Sequence, residues 1–277
     1  MKMKTPISYY GGKQGMIKDI LPLIPEHNTY TEPFAGGAAV LFAKSPAKIN
    51  VINDLNGELI NFYRTIVTNY DDLKKEIMQT LHSREHIQVA KFIYEHSDYF
   101  SNVKRAWAVW VLSKLGFSGI FAGSFAFCKT GRNQRAVNIS NSKDAFCDEL
   151  KKLLEACTIE QDDAFKVIKR YDTENTFHFV DPPYVGHNMG HYSGMFSPED
   201  MKCLLDLLSQ IKGKFMLTMY PDDMIAQYAQ KNGWRIHGVE RFVTAANSTV
   251  TQRRRQEEWM VCNYPLQNEC VNHQQRA

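Results

Sequence analysis

Residues 29–70 carry the pattern that most constrains this chain. Thr29 to Phe34 predicts a short strand, Pro33-Phe34-Ala35-Gly36-Gly37 a turn, and Ala38 to Lys44 a helix-prone stretch. Lys48 to Asn53, apolar at Ile49, Val51 and Ile52, predicts a second strand running into Asp54. From Asn56 to Tyr70 the apolar residues Leu59, Ile60, Phe62, Tyr63, Ile66 and Val67 recur with helical period. Strand, helix, strand and helix in such quick succession open a parallel α/β sheet.

The same rhythm returns late. Thr176 to Val180 predicts a strand into Asp181, Phe215 to Met219 another, and Glu257 to Cys262 a last one. Ser197-Pro198-Glu199-Asp200 carries an N-cap serine, a proline at the first helical position and an acid three residues on. It predicts a helix to about Ile211. A further helix spans Asp223 to Lys231 and ends at Asn232-Gly233. Between about Asp71 and Thr158 the patterns are helical, most clearly Val103 to Leu115, without a parallel strand. The expected architecture is α/β: one sheet domain built from residues 1–70 and 159–277, interrupted by a mostly helical insert at 71–158.

Composition narrows the class. The chain has 277 residues, 44% hydrophobic, enough for a substantial core, and a net charge of only +3. That balance excludes a disordered polyelectrolyte and a wholly basic nucleic-acid coat. No apolar run approaches a membrane span, and Met1-Lys2-Met3-Lys4 is followed by no signal-peptide core. Cys128, Cys147, Cys157, Cys203, Cys262 and Cys270 form no C-x-x-C pair, against a zinc ribbon or a disulfide framework. A cytoplasmic protein is expected.

Two segments carry chemistry. Gly36 and Gly37 at a strand-to-helix turn let a ligand approach the backbone, although a tight turn alone would also use them. The turn lacks the third glycine of the nicotinamide fingerprint, because Ala38, Ala39 and Val40 follow. Asp54, at the tip of the next strand, can accept hydrogen bonds from ribose hydroxyls, so a nucleoside-bearing cofactor is expected. The second segment is Asp181-Pro182-Pro183-Tyr184. An amine conjugated to a purine is a poor nucleophile, and transfer to it needs two acceptors that hold its N–H bonds while the nitrogen pyramidalises. The Asp181 carboxylate and the Pro182 carbonyl can supply them, the prolines fixing the backbone between them. Tyr184 offers a π-face to an unstacked base. A pair of prolines that merely ends the strand is the bland alternative.

These residues resemble the Dam-like group of DNA adenine-N6 methyltransferases over nearly the whole chain. The resemblance rests on Tyr9-Tyr10-Gly11-Gly12-Lys13, Glu32-Pro33-Phe34 and Asn53-Asp54-Leu55-Asn56. It continues through Asp163-Ala164-Phe165-Lys166-Val167-Ile168, Asp181-Pro182-Pro183-Tyr184, Gly233-Trp234 and Arg254-Arg255-Gln256-Glu257-Glu258-Trp259. It implies a Rossmann-like methyltransferase sheet with an inserted target-recognition domain, and site-specific transfer of a methyl group from S-adenosylmethionine to a flipped adenine in double-stranded DNA. S-adenosylhomocysteine would be the product. By resemblance, Tyr9, Lys13, Phe34, Gly36 and Asp54 hold the cofactor, Asp163 meets its adenine amino group with Asp162 as the competing choice, and Phe165 packs on that ring. Asp181, Pro182 and Tyr184 take the catalytic roles. Tyr9 stands where many relatives have Trp, and the loop from Val185 to Tyr192, with His187 and His191, departs from the pattern and receives no role. No metal is expected, because the leaving group is a neutral thioether.

Two basic segments without an acid suit a DNA-facing surface: Cys128 to Lys143 and Arg241 to Gln256. Lys129, Arg132, Asn133, Gln134 and Arg135 in the first, and Arg253, Arg254 and Arg255 in the second, are the candidate DNA contacts. Arg suits guanine, and Asn or Gln adenine. Solvated charged loops are the alternative, and for Arg253 to Arg255 a sheet edge. Phe117, Phe121, Phe125 and Phe127 are expected in the core of the insert rather than as a stacking platform. Transfer to cytosine N4, RNA adenine or a glutamine side chain, or a catalytically idle DNA-binding module, stay open as alternatives. A monomer or weak dimer is expected, and a companion restriction endonuclease is left open.

Overall fold

The computed structural model describes residues 3–9, 11–116, 123–127, 135–184, 196–242 and 255–266, with the backbone alone at 135, 241, 242 and 255. Its centre is a seven-stranded sheet: β1 Thr29–Glu32, β2 Ile49–Asn53, β3 Cys157–Glu160, β4 Thr176–Val180, β5 Lys214–Met219, β6 Arg235–Phe242 and β7 Arg255–Cys262. The order is β3-β2-β1-β4-β5-β7-β6. The first five strands in that order run parallel, with Thr29 opposite Ile49 on one side and Thr176 on the other. β7 lies antiparallel between β5 and β6, Met216 facing Cys262 and His237 facing Met260. The strand order reverses between β1 and β4, so a crevice opens there at the carboxyl ends of the strands.

Eleven α-helices are described: α1 Ile17–Ile20, α2 Ala39–Ala43, α3 Gly57–Thr68, α4 Tyr70–Gln79, α5 Arg84–Glu95, α6 Asn102–Leu115, α7 Arg135–Asp144, α8 Asp148–Glu155, α9 Ala164–Tyr171, α10 Pro198–Leu208 and α11 Asp223–Asn232. Local sequence explains several boundaries. Asn56 accepts from the Glu58 and Leu59 N–H groups and starts α3. Ser197 and Asp200 form a reciprocal capping box at α10, and Gly233, at φ 70°, ends α11. Along α10, Met201, Leu204, Leu205 and Leu208 recur at helical spacing and pack against Phe215, Leu217 and Val261 on one sheet face. Truncating one of those leucines to alanine costs about 2–5 kcal/mol. On the other face, α3 brings Phe62 and Tyr63 into a cluster with Tyr30, Phe177 and Trp110 of α6. α4 and α5 pack on α6 as well, so the helical stretch shares its apolar contacts with the sheet. Among the described residues no helix is long and apolar enough to cross a membrane.

Three features differ from expectation. β3 begins at Cys157 and pairs with β2, Asn50 opposite Cys157, although no parallel strand is expected before Thr158. It is a short, half-exposed edge strand, which weakens its apolar signature. β6 is an edge strand with polar and charged residues along it and was not foreseen. Phe127 is 51% exposed and lies against the Arg84 guanidinium rather than in a core, whereas Phe125, half-buried and also near Arg84, packs against the core cluster as expected. Phe117 and Phe121 lie outside the described residues.

Candidate active site

The turn after β1 is tied down from three sides. The Ala35 N–H donates to the Asn53 carbonyl at 2.8 Å, the Gly36 N–H to Asp54 Oδ2 at 2.9 Å, and the Tyr63 hydroxyl to the Gly36 carbonyl at 2.7 Å. Gly36 has φ 47°, a left-handed conformation, and a Cβ there would stand 3.1 Å from the Tyr9 ring. Its glycine therefore answers to the turn and to Tyr9 as much as to any ligand. Asp54 is buried, which raises its carboxyl pKa, while N–H groups of Asn56, Gly36 and Leu55 oppose that rise. Glu32 closes the floor, accepting from the Tyr30 hydroxyl at 2.7 Å and the Leu41 N–H at 2.6 Å. Burial lifts its pKa to about 7.

Across the crevice stands the corner after β4. Asp181 Oδ1 receives the Lys13 ammonium at 2.6 Å and the Thr218 hydroxyl at 2.7 Å. Its Oδ2 and the Pro182 carbonyl have no partner among the described residues. Burial raises the Asp181 pKa, and Lys13 and Thr218 pull it back by stabilising the carboxylate. Lys13 belongs to the short 3-10 turn Lys13–Met16 and is 2% exposed. It also reaches the Gly11 carbonyl and the Tyr184 hydroxyl, each at 2.9 Å, and Glu258 Oε1 at 3.2 Å. The Tyr184 hydroxyl donates to Glu258 at 2.9 Å, and its ring stacks on Tyr220 with centroids 4.3 Å apart. Burial and the neighbouring carboxylates push the Tyr184 phenol far above its ordinary pKa.

Between these walls lies a cavity of about 370 Å³. Of the residues singled out from sequence, Tyr9, Lys13, Phe34, Gly36, Asp54, Asp181, Pro182 and Tyr184 line it. Asp163 and Phe165 are not among its lining residues, although Ala164 between them is. Asp163 caps α9, accepting from the Lys166 N–H at 3.0 Å, and Asp162 is paired with Arg170 at 2.8 Å. Arg135 opens α7 and Arg255 opens β7. Lys129, Arg132, Asn133, Gln134, Arg253 and Arg254 lie outside the described residues, as do 185–192 with His187 and His191. Among the described residues no group of three His, Cys, Asp or Glu side chains could hold a metal ion.

Sequence reading assigned no role to Glu258, Thr218, Glu32 or the Asn53 side chain. For Glu258 a signal existed: period-two alternation puts it on the same face of β7 as buried Met260 and Cys262, where a carboxylate needs a partner.

A doubly wound sheet, its switch-point crevice lined by glycines and carboxylates, defines a Rossmann-like methyltransferase fold. Residues 9–245 match the family described as D12 class N6 adenine-specific DNA methyltransferase. The chain is 29% identical over 278 residues to "Type II methyltransferase M1.LlaDCHI" of Lactococcus lactis subsp. cremoris, covering 92% of this chain and 93% of that protein. It is 25% identical over 252 residues to "Type II methyltransferase M.CviBI" of Paramecium bursaria Chlorella virus NC1A, with 85% and 93% covered. Against "DNA N-6-adenine-methyltransferase" of Escherichia phage P1 it is 24% identical over 257 residues, with 84% and 32% covered. The chain belongs to the D12 class of N6 adenine-specific DNA methyltransferases, and its reaction is methylation of adenine N6 in DNA.

Proposed function

We propose that the crevice binds S-adenosylmethionine and receives an adenine extruded from double-stranded DNA, with Asp181 and Pro182 as the acceptors of its amino group. The pair of unengaged acceptors, Asp181 Oδ2 and the Pro182 carbonyl, carries this reading. The residues suit the cofactor: Asp54 is a buried carboxylate at the tip of β2 with acceptor capacity left for a hydroxyl, and Phe34 supplies apolar surface. When bound, S-adenosylmethionine supplies an electrophilic methyl group and leaves as a neutral thioether.

The chain's own residues handle the amine. Asp181 Oδ2 and the Pro182 carbonyl each accept one N–H, which draws the nitrogen lone pair out of conjugation with the purine. As nitrogen gains its bond to carbon it must shed one proton, and the Asp181 carboxylate is the acceptor in place. Lys13 and Thr218 hold the other carboxylate oxygen and so aim Oδ2. Tyr184 meets the base with the ring side not covered by Tyr220. We assign target recognition to the stretch 71–158 and DNA contact to Lys129, Arg132, Asn133, Gln134 and Arg135, with Arg253, Arg254 and Arg255 on a second side. The absence of acids from both basic segments supports this.

Transfer of a labelled methyl group to DNA, RNA and protein in parallel tests the reading. Wild type labels adenine in duplex DNA, and Asp181→Asn or Asp181→Ala binds DNA yet loses turnover by about a hundredfold or more. Near-full turnover in those variants overturns it.

A further inference from the structure

The crevice crosses the carboxyl ends of neighbouring strands in the order β3-β2-β1-β4. Asp181 and Tyr184, after β4, line one end; Asp54 to Gly57, after β2, and Ala164, after β3, line the other. Among the described lining residues, one comes from the helical stretch 71–158: Tyr94 of α5. It belongs to the Asp54 end. The Asn56 side-chain amide donates to the Tyr94 hydroxyl at 3.1 Å, while the Asn56 main-chain N–H donates to Asp54 Oδ1 at 2.9 Å. Asn56 Oδ1 is taken by the first turn of α3, accepting from the Glu58 N–H at 3.0 Å, so the direction of the amide is set. Burial raises the Tyr94 phenol pKa, the bond from Asn56 lowers it, and the charges of Glu58 and Asp54 add to the rise. The phenol thus stands within electrostatic reach of Asp54.

With a ribose on Asp54 and the reacting carbon facing Asp181, a purine must extend away from β4, toward Leu55, Ala164 and Tyr94. Asp163 and Phe165 do not furnish its wall: Asp163 caps α9, and Phe165 packs against the apolar cluster of α10 and β5. Leu55, 66% exposed, Ala164 and Tyr94 are the apolar surface at that end. We propose that Tyr94 is a cofactor-contact residue supplied by the helical stretch, its ring forming a wall for the adenine moiety of S-adenosylmethionine and its hydroxyl held by Asn56. This rests on the reading of the crevice as the S-adenosylmethionine site. A tyrosine offers a purine a broad face at low entropic cost, because few side-chain torsions are frozen, and the Asn56 amide restrains the ring before the ligand arrives. The adenine moiety is common to substrate and product and takes no part in bond making. Tyr94 therefore acts on cofactor affinity and leaves the chemical step alone.

Calorimetric titration of the full chain with S-adenosylmethionine, S-adenosylhomocysteine and methylthioadenosine, which keeps the nucleoside and lacks the amino-acid arm, tests the assignment. Tyr94→Ala should weaken all of them by the same factor, about tenfold, the scale of an aromatic–base contact. Tyr94→Phe keeps the ring and should bind within about threefold of wild type, the scale of one neutral hydrogen bond. Tyr94→Leu fills much of the volume without a π-face and takes the place of the alanine variant if that one does not fold. In steady state the KM for S-adenosylmethionine rises by about tenfold while kcat stays within about twofold of wild type. Affinity for duplex DNA measured without cofactor stays at the wild-type level, whereas a merely structural fault in α5 would lower it too. The role of Tyr94 is overturned by alanine and leucine variants that bind S-adenosylhomocysteine as wild type does, by a loss that spares methylthioadenosine, by a phenylalanine variant as impaired as the alanine one, or by a fall in kcat or in DNA affinity in place of the rise in KM. A wild-type protein that binds none of these ligands overturns the crevice as the cofactor site instead.

Discussion

Asn53 and the main chain of Asp162 are joined by two reciprocal hydrogen bonds, the Asn53 amide donating to the Asp162 carbonyl and accepting from its N–H, each at 2.9 Å. The same amide nitrogen donates to the Pro33 carbonyl at 2.9 Å. One side chain thus fastens the segments after β1 and β3 to the end of β2, and the cavity floor depends on it. Asn53→Ala leaves these backbone groups unpaired and should cost about 1–3 kcal/mol. Urea unfolding measures that loss, and a calorimetric titration with S-adenosylmethionine should show weaker binding. Asn53→Asp cannot donate to the two carbonyls and is expected to fare no better.

Lys13→Met tests the buried ion pair. Buried Asp181 then loses the ammonium that lies 2.6 Å from its Oδ1, and the loss should reach about 3–5 kcal/mol. Without Lys13 the Asp181 pKa, already raised by burial, rises further, so the native state holds an extra proton and stability falls as pH rises. Thermal unfolding at pH 5 and pH 8 should show the larger deficit at pH 8. Adding Asp181→Asn should recover part of it, and a deficit independent of pH would count against this account.

Glu32 gives the fold its own pH dependence. Burial raises its pKa from 4.5 to about 7, so the native state favours the protonated form. Stability from this group is complete below pH 4.5, declines as pH climbs through 7 and then levels off. The full span corresponds to about 3 kcal/mol. Glu32→Gln preserves an oxygen for the Tyr30 hydroxyl and the Leu41 N–H. Its stability curve between pH 5 and pH 8 should be flatter than that of wild type by that component.

Gly36→Ala carries two separable penalties. The left-handed backbone at φ 47° costs about 1–2 kcal/mol for a residue with a Cβ, and that Cβ presses on the Tyr9 ring at 3.1 Å. Placing Tyr9→Ala in the same chain should relieve the steric part and leave the backbone part. Chemical denaturation of the two single variants and the double variant separates them; strict additivity would show that the two residues do not press on each other.

The parallel half of the sheet was legible because its strands are apolar runs bounded by turns. β4 falls at Thr176–Val180, as the pattern predicts, and β1 and β2 differ from it by one or two terminal residues. Edge strands hid for a physical reason: β3 and β6 each have one open side and tolerate the polar residues that erase a strand signature. The crevice residues Gly36, Asp54 and Asp181 announced themselves through short motifs at strand ends. Thr218, Glu258 and the Asn53 amide did not, because their roles consist of contacts between distant segments, and a local pattern carries no record of which side chains meet.

The placement of β7 between β5 and β6 has a consequence for biosynthesis. A ribosome emits Lys13 first, Asp181 and Tyr184 much later, and Glu258 only after β6 has already been made. Until then β5 has an open hydrogen-bonding edge and Lys13 has a single carboxylate, so a nascent chain can collapse around the first five strands but cannot complete its charged centre. The charged centre is completed as a late step, set by the emergence of one strand.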